Sequence, residues 1–87
     1  MYEVSLSLEQ YKLFRQYIFA EFNEQKIGDK IVLKFDILDS IEETGELVND
    51  AFLEFGLDEN YEPNELGYRL EELHIVFLRV VWKFRVD

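Results

Sequence analysis

The sequence predicts a mainly α, three-helix bundle-like single domain spanning residues 1–87, with room for a small two-stranded β element; an α+β domain with a C-terminal strand is the alternative. Three observations lead there. Apolar residues recur at steps of three and four along three stretches, two of these open with the Ser-x-x-Gln/Glu spacing of a capping box, and only two short segments outside these stretches read as strands. With 48% apolar and 16% aromatic content in 87 residues, the chain can fill one core and is too short for two.

Tyr2, Val4 and Leu6 alternate with Glu3, Ser5 and Ser7, and residues 31–35 (Ile-Val-Leu-Lys-Phe) form a second short run rich in branched side chains, so these two segments are expected to pair. Between them, Ser7 and Gln10 have capping-box spacing and start a helix at Leu8. Tyr11, Phe14, Ile18 and Phe22 then form one apolar stripe, ended by residues 23–30 with their Gly28-Asp29 turn.

A second helix is expected to open at Ser40 and Glu43, another capping box. Ile41, Val48, Phe52 and Phe55 recur on one face up to Gly56, with Asp39, Glu43, Glu46, Asp50 and Glu54 on the opposite face. Gly45 within it costs about 1 kcal/mol relative to Ala, which suits a position of close helix contact. Residues 57–63 read as a polar connection. Leu66, Leu70, Leu73, Phe77, Val80, Val81 and Phe84 then make a helical stripe, although Leu78, Val80, Trp82, Phe84 and Val86 also alternate. Helix is the expectation because no Gly, Pro, Asn or Asp interrupts residues 68–86; strand is the alternative for residues 75–86.

The charge is uneven. Nineteen acidic residues against nine basic give a formal charge of −10, and residues 36–65 hold eleven carboxylates with no Lys, Arg or His. The rest of the chain carries eight acids and nine bases. Such a balance repels nucleic-acid phosphates and anionic membranes, so the expected partner is a basic protein surface rather than nucleic acid or lipid. There is no cysteine, which excludes disulfides, a thiolate nucleophile and sulfur-based zinc sites. The first residues lack the basic start and apolar run of a signal peptide, and no unbroken apolar run is longer than the four residues of 75–78, so the cytoplasm is the expected compartment.

Catalysis finds no apparatus here. His74 is the one imidazole, set between Leu73 and Ile75 as packed structural histidines are, and no Gly-rich phosphate loop or nucleophile motif occurs. The chain is read as a non-enzyme without cofactor, catalytic residues or metal site; residues 58–62 (Asp-Glu-Asn-Tyr-Glu) lack the alternating ligands and the central glycine of an EF-hand. Tyr61 and Trp82 are the large amphipathic rings able to anchor an interface, with Trp82 expected in the core. The informative feature is the unmixed acidic run. Solvated helix faces usually alternate signs, because like charges four residues apart are repulsive, yet Asp39/Glu43, Glu46/Asp50 and Asp50/Glu54 stand at that spacing. Complementarity to a positive cleft is a functional reason for keeping them.

Residues 36–84 resemble the colicin D-type immunity proteins, small acidic helical inhibitors of ribonuclease toxins. The likeness runs through the helix ending Ala51-Phe52-Leu53-Glu54-Phe55, the acidic connection Asp58-Glu59-Asn60-Tyr61-Glu62, and Asn64-Glu65-Leu66 opening a last helix through Leu70-Glu71-Glu72-Leu73. The resemblance implies an immunity or antitoxin function, in which negative side chains fill a nuclease toxin's basic substrate cleft in place of RNA phosphates. It implies that role for Asp58, Glu59, Glu62 and Glu65, supported by Glu46 and Asp50, with Tyr61 beside them. Two alternatives stand next to it. An acyl carrier protein is similar in length and acidity, with Asp39-Ser40-Ile41 where carriers have Asp-Ser-Leu and Ser40 then holding phosphopantetheine; the helical phase opposes this, since it would put Asp50 and Glu54 on core positions. A phage-type nucleic-acid mimic would share the surface physics of the immunity reading.

Overall fold

A computed structural model describes residues 1–85. The elements run β1 (Tyr2–Ser7), α1 (Leu8–Tyr17), β2 (Asn23–Ile27), β3 (Lys30–Phe35), α2 (Leu38–Phe55) and α3 (Glu65–Arg85). The three strands form one antiparallel sheet in the order β1-β3-β2, so the architecture is α+β. This corrects the expected mainly α, three-helix bundle-like fold. It also overturns the C-terminal strand, because residues 75–85 continue α3; Val86 lies outside the described residues.

The strand that periodicity did not show is β2. All five of its residues are exposed, and Asn-Glu-Gln-Lys carries no apolar alternation, because an edge strand that contributes little to the core needs none. Its register comes from the Gly28-Asp29 turn, which sets Ile27 opposite Lys30. Gly28 has φ +63°, the conformation that two-residue hairpin turns favour and glycine adopts without strain. From α1, Arg15 holds β2 in place: Nη2 lies 3.2 Å from Glu24 Oε2, the Tyr11 hydroxyl donates to Glu24 Oε1 at 2.6 Å, and the guanidinium sits over the Phe22 ring.

The expected pairing of β1 with β3 forms, with Val4 opposite Leu33 and Leu6 opposite Ile31. Their inward side chains, with Phe35, meet Leu13 and Phe14 of α1, Ile41, Val48 and Ala51 of α2, and Leu70, Leu73, Phe77 and Val81 of α3 in one core. The Ser7–Gln10 capping box is present, and α1 begins at Leu8. It ends at Tyr17, one turn before the stripe suggested, yet Phe22 still packs on Phe14 and Phe35 from the loop. The second capping box does not form. Helix α2 starts at Leu38 with Ile37 as its N-cap and no side-chain cap, leaving Ser40 inside the first turn.

Helices α2 and α3 pack antiparallel as the main interhelical contact. A Cβ at Gly45 would sit 3.2 Å from Phe77 Cβ, which confirms the close approach expected there. Tighter still is the junction at the loop, where a Cβ at Gly56 would lie 2.7 Å from Gly67 Cα and one at Gly67 would collide with the Gly56 carbonyl oxygen. Asn64 fastens this junction from three atoms. Its side-chain oxygen accepts the Gly67 N–H at 2.7 Å and caps α3, its backbone N–H donates to Gly56 O at 2.9 Å, and its Nδ2 donates to Phe55 O at 3.3 Å. No helix among the described residues is long and apolar enough to cross a membrane.

The junction predicts an asymmetry between glycines. Gly67→Ala should destabilise the fold by about 2 kcal/mol or more, lowering Tm by roughly 10 °C, because backbone rather than a yielding side chain blocks the methyl group. Gly28→Asn, in open space and with a residue tolerant of positive φ, should cost less than about 1 kcal/mol. Thermal melts followed by circular dichroism decide it, and equal Tm values for Gly67→Ala and the unsubstituted chain would contradict the packing described.

Candidate protein-binding surface

The helical period of α2 sorts its residues. Ile41, Thr44, Gly45, Val48 and Ala51 are buried, so the residues about half a turn away, Asp39, Glu43, Glu46, Asp50 and Glu54, form an exposed ridge along the helix, with Glu42 half-buried at its flank. Successive carboxylates recur about one turn, or about 5.4 Å, apart. Among the described residues one cation pairs with them. Arg85, near the other end of the helix pair, places Nη2 2.5 Å from Asp39 Oδ1 and Nη1 2.7 Å from Glu42 Oε2. Its side chain is 44% exposed, so these pairs contribute little, on the order of 0–1 kcal/mol. Among the described residues no ion pair joins Glu43, Glu46, Asp50 or Glu54 to Arg69, Arg79 or Lys83.

The structure divides the seven residues singled out from sequence into two groups. Glu46 and Asp50 belong to the ridge. Asp58, Glu59, Tyr61 and Glu62 occupy the loop after α2, and Glu65 opens α3. Asp58 does structural work there, since its Oδ1 accepts the N–H groups of Asn60 at 2.8 Å and Glu62 at 3.0 Å while its own N–H donates to Glu62 O. The closed loop holds Tyr61 at φ +61°, 84% exposed. A bulky residue in that conformation is uncommon, and it leaves the ring standing in solvent next to Glu62.

Asp39, Glu43 and Glu54, which the sequence set on the same face without naming them as binding residues, extend the ridge beyond Glu46 and Asp50, and Glu42 joins it at the flank. Apolar side chains flank it on both sides. One groove of about 300 Å³ runs between Tyr17, Phe19, Leu47 and Phe55, with Asp50 and Glu54 on its rim. Another, of about 420 Å³, lies between His74, Leu78, Val81 and Trp82 of α3 and Glu42 and Glu46 of α2. Trp82, expected in the core, is 68% exposed; the core stripe of α3 passes through Phe77 and Val81 and leaves Trp82 on the outer side. Ser40 is half-buried in the first turn of α2, lining a third groove with Glu43, Thr44 and Phe22. No group of three or more His, Asp or Glu side chains is gathered closely enough to hold a metal ion among the described residues. Carboxylates in a row, with apolar walls beside them, make a surface suited to contact with a cationic macromolecule. The chain matches no family model, no curated protein and no solved structure.

His74 in the second groove has its pKa lowered from the ordinary 6.5, chiefly by burial, with Glu71 one turn earlier pulling the other way. Glu42, Glu46 and Arg85 face the same groove. A depressed histidine is neutral in the folded chain while the unfolded chain takes up the proton first, so its stabilising share is complete above about pH 6.5 and declines below it. The stability of the unsubstituted chain relative to His74→Gln should therefore fall between pH 7.5 and 5.5. Denaturant titrations of both proteins at each pH measure the difference, and a His74 NMR titration midpoint above 6.5 would contradict the assignment.

Proposed function

We propose that the chain is an acidic inhibitor of the immunity or antitoxin kind, which binds a basic protein partner through the α2 ridge and covers a cationic active site, foremost that of a nuclease toxin. The ridge itself carries the proposal: carboxylates one turn apart along α2, one half-exposed arginine near them, and no opposing charge on the rest of the face among the described residues. Burial on the opposite face explains why the helix is amphipathic. It does not explain why the wet face holds one sign, since mixed charges would favour the helix and like charges oppose it. A cationic cleft removes that repulsion on binding and is reached faster because the long-range field steers the encounter. Where nucleic acid is the cleft's ordinary occupant, a row of carboxylates offers it the same sign of charge.

The resemblance to colicin D-type immunity proteins agrees with this chemistry on the helical half. The three-stranded sheet departs from that helical pattern, so the proposal rests on the ridge and not on a shared fold.

The test is affinity capture from the source cells with the full chain and with Glu43→Lys/Glu46→Lys/Asp50→Lys. The expected partner is a basic nuclease, captured by the unsubstituted chain alone, whose activity disappears at a 1:1 ratio and whose association slows at least tenfold between about 0.05 and 0.5 M salt. Capture of the same partner by the triple variant, or association indifferent to salt, would refute the ridge as the binding surface.

A further inference from the structure

Helix α3 carries two apolar seams. The first, through Leu70, Leu73, Phe77 and Val81, is buried against the rest of the fold. The second follows steps of seven, three and four on the outer side: Tyr68 is 59% exposed, Ile75 36%, Leu78 38% and Trp82 68%. Over about four turns of α3 a heptad-like stripe, interrupted by Glu71, thus reaches solvent, and its Leu78 and Trp82 also wall the groove beside Glu42 and Glu46 of α2.

We infer that this outer seam pairs with the same seam of a second copy, antiparallel, about a twofold axis. The charges of α3 choose that occupant. Glu65, Glu71 and Glu72 lie in its N-terminal half and Arg79, Lys83 and Arg85 in its C-terminal half, with Arg69 the exception. An antiparallel mate sets acidic half against basic half, whereas a parallel mate would oppose like signs. With Ile75 opposite Leu78 of the second copy, the heptad register places Tyr68 opposite Arg85 and Glu71 opposite Trp82. At the flanking positions it brings Glu72 beside Arg79 of the other copy, and symmetry repeats that pair on the far side of the axis. Glu72 and Arg79 are both exposed and in no ion pair among the described residues. A basic partner helix suits this seam less well, because α3, with three acids and four bases, has no excess of negative charge to attract it. The net charge of −10 opposes association of two copies; most of it lies on α2 and in the following loop, of which Glu42 and Glu46 border the seam beside Leu78 and Trp82. The seam shares Leu78 and Trp82 with the groove that Glu42 and Glu46 border, whereas Asp50 and Glu54 lie outside that groove; self-association of the chain alone, with no other protein present, tests the inference apart from the proposed function.

Sedimentation equilibrium of the full chain at about 0.15 M salt tests it. The expected mass rises with concentration from 10.5 kDa towards twice that value. Glu72→Arg or Arg79→Glu alone replaces two attractive contacts with two repulsive ones and should weaken the dimer about tenfold, while the double exchange restores it. Ile75→Glu should abolish it with helical circular dichroism unchanged; should that variant unfold, the charge exchanges on exposed residues decide the matter. A monomer at every concentration, a dimer untouched by the single exchanges, or a double exchange that recovers nothing would each overturn the inference.

Discussion

The approach of α2 to α3 at Gly45–Phe77 and Gly56–Gly67 governs what the rest of the surface can be. Backbone against backbone at the loop end leaves no freedom to rotate either helix about its axis without a collision or the loss of the Asn64 bonds that satisfy the last carbonyls of α2 and cap α3. Fixing that rotation buries Ile41, Val48 and Ala51 and, by the 3.6-residue period, turns Asp39, Glu43, Glu46, Asp50 and Glu54 outward. The same constraint commits Phe77 and Val81 of α3 to the core and leaves Ile75, Leu78 and Trp82 on the other side. Both the acidic ridge and the outer seam of α3 therefore follow from one packing event.

The sheet supports this pair from beneath. Its inner face supplies Val4, Leu6, Ile31, Leu33 and Phe35, and α1 closes the edge by holding Glu24 through Arg15 and Tyr11. Charge is distributed accordingly: the first 35 residues carry five acids and five bases, so the negative field arises from the helical side of the molecule. Such a separation gives an approaching cation a preferred side.

How much of this was legible depended on burial. Elements with one face in the core wrote their period into the sequence, as with Tyr2-Val4-Leu6 in β1 and Leu70-Leu73-Phe77 in α3, and the Ser7–Gln10 box marked a helix start to the residue. Strand β2 wrote nothing because none of its side chains is buried, and its evidence lay in the turn glycine alone. Ser40 and Glu43 misled because a capping spacing inside an already started helix is indistinguishable from one at its end; the turn before it, from Leu38, lacked any polar cap to announce it. The acidic ridge was visible as a charge run. That the Asp58 carboxylate also holds its loop was not legible, because sequence spacing does not report such bonds. Trp82 was misplaced because two seams share α3, and periodicity does not say which faces the core.

The central claim is that the field of the molecule is focused on the α2 ridge, and a cationic paramagnetic chelate added to the isotopically labelled chain tests it without any partner. NMR line broadening should concentrate at the amides of Asp39, Glu43, Glu46, Asp50 and Glu54 and fade as salt is added. Broadening spread evenly over the molecule, or centred on the sheet, would contradict the account.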